Sequence, residues 1–139
     1  MKFLMLGALL FSSSVFACPD LSGSYNCVGK TRSYQKEVQK TDTGYIASND
    51  GIEYEYFTDG KAYNIPETDS YRDGKLTSTC NGDQFIVDLT MTVLYEGAVV
   101  GQQVSHTTYN MEGDKLIILQ KVKMKKIPLP KQKFICTRN

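Results

Sequence analysis

The chain has no tryptophan and only one histidine, His106, in 139 residues. One histidine and four cysteines, read as oxidised, cannot build an ordinary zinc site. No Gly-x-Ser-x-Gly elbow is present, Gly113-Asp114-Lys115 is not a phosphate loop, and no dinucleotide fingerprint occurs. With no nucleophile, base and orienting group to assemble, the chain is expected to be neither an enzyme nor a cofactor or metal binder. An excess of one charge is lacking too. Without residues 1–17 the chain holds fifteen basic and fifteen acidic side chains, and neutrality argues against nucleic acid as a partner. Finally, no stretch of useful length has a 3.6-residue apolar period, and nothing after residue 17 is apolar long enough for a membrane helix.

What is present is alternation. Phe85, Val87, Leu89, Met91, Val93 and Tyr95 occupy every second position, with Ile86, Asp88, Thr90, Thr92 and Leu94 between them. Successive strand side chains point to opposite faces, so this is a long strand with one apolar face. Glu96-Gly97 and Glu112-Gly113-Asp114 break the run to residue 125 into three antiparallel strands joined by hairpins. Before them, Asn49-Asp50-Gly51, Thr58-Asp59-Gly60 and Arg72-Asp73-Gly74 read as turns, and Tyr34 to Lys40 as a polar strand, at an edge or facing water on both sides. Ile127-Pro128-Leu129-Pro130 reads as an extended link, because proline lacks the ladder donor. Nine to eleven short strands in consecutive hairpins imply an all-β fold: an antiparallel up-and-down meander barrel, with a β-sandwich as the alternative.

Residues 1–17 have the layout of a secretory signal peptide: Lys2, an apolar run from Phe3 to Phe11, and Ala17 at the end. The mature chain, 18–139, is then a single domain, secreted or periplasmic. Cys18, Cys27, Cys80 and Cys136 all lie in it and read as two disulfides. Composition leaves three pairings open. Closure of a barrel would make the first and last strands neighbours and so favour Cys27 with Cys136. Cys18 has a competing use, since Val15-Phe16-Ala17-Cys18 resembles the acylated site of bacterial lipoproteins; Phe16 is bulky for that site, and acylation would leave three cysteines.

Leu21-Ser22-Gly23-Ser24-Tyr25 near the start and Arg138 near the end resemble the lipocalin-type barrels. In that family a Gly-x-Trp on the first strand is covered by a basic residue from the end of the chain; here the aromatic is Tyr25. The resemblance implies a meander barrel.

Candidate sites follow from the faces. If the barrel is hollow, Tyr25, Phe85, Val87, Leu89, Met91, Val93, Leu116, Ile118 and Val122 would line it around a small apolar or amphipathic ligand. A two-residue loop at Glu96-Gly97 puts Val87 opposite His106, so His106 would orient that ligand or sense pH; its plainer role is a hydrogen-bonded rim residue. Glu53 and Glu55 share a strand face about 7 Å apart from strand rise, a spacing that suits acid–base work and equally a solvated strand. Lys121, Lys123 and Lys125 alternate, and Lys126 extends them. This patch suits an acidic envelope or protein surface, or it guards an exposed strand from sheet-to-sheet association. The nine tyrosines suit either a pocket or the filling of a small barrel. The first expectation is therefore an exported, non-catalytic ligand-binding protein. The alternative is a solid barrel acting through its surface, as an inhibitor or cell-envelope interaction protein. Cleavage after Ala17 predicts that the exported protein begins at Cys18, which the intact mass of protein purified from its own host checks; a mass including residues 1–17 would remove the leader.

Overall fold

The computed structural model describes residues 18–139; residues 1–17, expected as a leader, lie outside them. Eleven strands form: β1 (Gly23–Val28), β2 (Ser33–Lys40), β3 (Gly44–Asn49), β4 (Ile52–Phe57), β5 (Ala62–Asn64), β6 (Tyr71–Asn81), β7 (Gln84–Tyr95), β8 (Ala98–Glu112), β9 (Lys115–Met124), β10 (Ile127–Pro128) and β11 (Gln132–Arg138). All pair antiparallel in one sheet, ordered β4-β3-β2-β1-β11-β9-β8-β7-β6-β5, with β10 on β9. The domain is all-β and barrel-like. The curled sheet brings Tyr45 of β3 and Tyr56 of β4 against Phe85 of β7, with ring centroids 4.4 and 5.5 Å apart.

The order is a meander joined through its ends. β1 pairs with β11, and the opening falls mid-chain between β4 and β5. That pairing sets Cys27 opposite Cys136, and the two form a disulfide. The second disulfide, Cys18–Cys80, ties the lead-in to β6. It occupies the Cys18 sulfur, so acylation there is ruled out in this state. Two disulfides fit an oxidising, extracellular or periplasmic environment. The lead-in is more than a tether: Leu21 is fully buried, and the backbone carbonyls of Pro19 and Leu21 accept hydrogen bonds from the Tyr45 and Tyr25 hydroxyls at 2.5 and 2.9 Å. It plugs one end of the curl.

The turns match their residues. Asp50-Gly51 and Glu96-Gly97 both have two positive φ angles, at 48° and 84° and at 49° and 80°. Glycine at the second position makes such tight hairpins cheap. Two segments depart from expectation. Arg72-Asp73-Gly74 is no terminal turn: β6 begins earlier and carries an irregularity there, with Asp73 at φ 53°. Ile127-Pro128 is a two-residue ladder on β9, tolerated at its margin.

Strand length decides where the core sits. β3 and β4 have six residues each, whereas β7 has twelve and β8 fifteen. Tyr45 and Tyr56 of the short wall meet β7 at Phe85, near its start, and beyond it burial falls along β7, the first part of β8 and the last part of β9; these far ends form the arm of the sheet. Phe85 and Val87 are buried, but Leu89, Met91 and Val93 are only half-buried.

The Cys27–Cys136 cross-link spans 109 residues. Replacing both cysteines with alanine is expected to lower unfolding stability by about 4–5 kcal/mol on the chain-entropy model, read from urea denaturation. A loss well below 1 kcal/mol would show that the β1–β11 seam holds without it.

Candidate functional site

The interior is filled. Tyr25 and Tyr45 are fully buried, Tyr56 nearly so, and Phe85 stacks on Tyr109 with centroids 5.1 Å apart. The space left among Leu21, Lys36, Val38, Tyr45, Ala47, Tyr56, Phe85 and Tyr109 is about 10 Å³. That is room for about one water molecule. Of the residues expected to line a ligand cavity, Tyr25, Phe85, Val87, Leu116 and Ile118 are core packing. Leu89, Met91 and Val93 line the concave side of the arm, half-exposed. Arg138 lies over Tyr25, its guanidinium 5.1 Å from the ring centroid, and donates to the Ser22 carbonyl at 2.8 Å.

Lys36 is the residue that sequence reasoning missed. β2 is not an edge strand; it lies between β1 and β3, and its inward positions are Tyr34, Lys36 and Val38. Lys36 is 3% exposed. Its ammonium donates to Asn49 Oδ1 at 2.9 Å and lies 5.4 Å from the Tyr109 ring centroid. Among the described residues no carboxylate pairs with it. Burial pushes its pKa from 10.5 down to about 8, and burial pushes Tyr56 up to about 12. The only sequence signal was the Tyr-x-Lys-x-Val alternation, which a lysine at its centre disguised.

His106 points outward, not into the barrel. Tyr95 does face Ala98, but an extra residue, Val100, bulges from β8 between the Val93–Gly101 and Leu94–Val99 pairs. That one-residue shift turns every later side chain of β8 over. His106 therefore lies opposite Asp88 and Lys121, and its Nδ1 is 2.5 Å from Asp88 Oδ1 on open surface. It is not placed to orient an interior ligand. Glu53 and Glu55 are exposed on the outer face of the edge strand β4, opposite Ser48 and Ile46.

The lysines form the other cluster. Lys121 and Lys123 lie on the outer face of β9, and Lys125 and Lys126 make the turn into β10. β9 is flanked by β8 on one side and by β11 and β10 on the other. Guarding a free edge therefore does not explain them. The same outer face carries exposed Val104, Leu119 and Ile135, by register with Lys123 and Lys133. A half-open groove of about 660 Å³ is lined by Gln102, Val104, Lys123, Lys125 and Lys126.

Compared with family models, curated proteins and solved structures, the chain matches none.

The buried amine gives a pH test. Below pH 8 Lys36 is charged in both folded and unfolded chains, and the folded state bears the whole cost of burying that charge, about 3 kcal/mol for a shift of this size. Between pH 8 and 10.5 the folded amine loses its proton first, so the cost falls and stability rises with pH. Lys36→Met is expected to gain about 1–2 kcal/mol at pH 7, after loss of the Asn49 bond, and to abolish the rise between pH 8 and 10. Urea denaturation stepped through pH checks both; an unchanged slope in the variant would assign it to another group.

Proposed function

We propose that the protein is an exported, non-catalytic β-domain that acts through its outer surface in the cell envelope, as an interaction or inhibitory protein. The observation that carries this reading is the placement of Lys121 and Lys123 on the outer face of a strand with neighbours on both sides. The filled interior supports it, since a small-molecule site needs several hundred Å³ and the void measures about 10 Å³. The leader of residues 1–17 and the two disulfides agree with export. Arg138 over Tyr25 is the contact that the lipocalin-type resemblance leads one to expect, and it supports that resemblance at this one position. No catalytic role is assigned to Glu53, Glu55 or His106.

A small apolar ligand is the second reading. It is favoured by Leu89, Met91 and Val93, which lie half-exposed on the concave side of the arm.

Native mass spectrometry of protein purified from its own host separates the two. The surface reading expects a bare mass for residues 18–139 with both disulfides. A stoichiometric organic molecule, retained in the native spectrum and lost on denaturation, would overturn it in favour of the second reading.

A further inference from the structure

We infer that the outer face of β8, β9 and β11 docks on a bilayer containing anionic phospholipid, with a headgroup phosphate held between Lys123, Lys125 and Lys126. This rests on the surface reading above and adds the chemistry of the partner.

Three observations lead there. The first is the composition of one face. Lys133 lies opposite Leu119, Lys123 opposite Val104, and Lys121 beside them, while Leu119, Val104 and Ile135 are 40%, 43% and 41% exposed. An acidic surface matches the lysines; a layer of negative headgroups over acyl chains matches the lysines and the aliphatic side chains together.

The second is the turn. Lys125 and Lys126 both have left-handed backbone, φ 51° and 65°. The comparable hairpins use Asp50-Gly51 and Glu96-Gly97. A side chain in that region costs energy that glycine avoids, yet here both positions carry a long cation. The third is the groove. The Lys125 amide donates to the Gln102 carbonyl at 3.0 Å, which fixes the turn against β8. The groove beside it is lined by three lysines, Gln102 and Val104, with no carboxylate. The acidic groups on the outward positions stand away from it: Asp88 beside His106 on β7, and Glu112 at the far end of β8.

Vesicle sedimentation tests the inference on the mature chain with both disulfides. The protein is expected to bind phosphatidylcholine vesicles containing phosphatidylglycerol, to bind pure phosphatidylcholine weakly, and to be released by salt. K123Q/K125Q/K126Q is expected to lose about fivefold in affinity per lysine. The control K30Q/K61Q/K75Q removes the same charge elsewhere and is expected to lose far less. V104S/L119S is expected to weaken binding with the lysines intact. All these positions are solvent-facing, and unchanged thermal unfolding confirms that each variant is folded.

Equal losses in the lysine variant and its control, or equal binding to the two vesicle types, overturns the inference. So does release by inorganic phosphate beyond that by chloride of equal ionic strength, which would assign the groove to a free anion. No vesicle binding together with a bare native mass overturns lipid docking and leaves the surface reading standing. A retained small molecule overturns the surface reading itself.

Discussion

The pairing of β1 with β11 is the constraint on which the rest depends. It brings the first and last strands side by side and bonds them through Cys27 and Cys136. Once the ends are joined, a meander of hairpins has only one place left to open, which is the connection between β4 and β5. There the sheet curls until Tyr45 and Tyr56 meet Phe85, and the loop beyond β4 donates from Gly60 to the Ser78 carbonyl of β6. The Cys18–Cys80 bond spans the same side of the molecule, from the plug to β6. Both cross-links therefore act on closure: one makes the ring of strands continuous, and the other secures the region where it is not.

Closure of this kind decides what the interior can be. A small half-barrel whose inward positions carry large aromatic rings is packed solid. The Tyr25 and Tyr45 hydroxyls reach lead-in carbonyls, which is the condition under which a buried phenol is tolerated. The surplus strand length of β7, β8 and β9 then has no opposite wall to pack on. Two consequences follow: a half-buried apolar row inside the arm, and a cation-bearing face outside it. On the proposed reading, function belongs to surfaces that the core does not consume.

Much of the architecture was legible from alternation and turn chemistry. The run from Phe85 to Tyr95, the hairpin at Glu96-Gly97 and the Cys27–Cys136 pair follow from side-chain period and ring closure, which are local or topological properties. The direction of His106 was not legible, because it depends on one bulged residue, Val100, and a bulge leaves no mark in an apolar pattern. The inward face of β2 was hidden for a different reason. Lysine at its centre reads as solvent-facing, and only the tertiary structure supplies Asn49 and Tyr109 around it. The lysine row was legible as a row, but its meaning was not. Whether such a row guards an edge or offers a face depends on β9 having neighbours on both sides, a fact about long-range pairing.

The places where the chain contradicts local preference are accordingly the informative ones. Most hairpins obey their turn chemistry and most inward positions are apolar or aromatic, so exceptions stand against a consistent background. Lys36 and the Lys125-Lys126 turn are two such exceptions, and they differ in kind. Lys36 is buried and pairs with no acid among the described residues, so its effect falls on stability and on fixing Asn49 and Tyr109 around it. Lys125 and Lys126 are exposed, and their strained backbone places charge where the arm ends. A cost carried inside the core can specify packing; a cost carried at an exposed turn sets where its charges stand. On the proposed surface reading, that difference makes the arm, and not the barrel interior, the part suited to meet a partner.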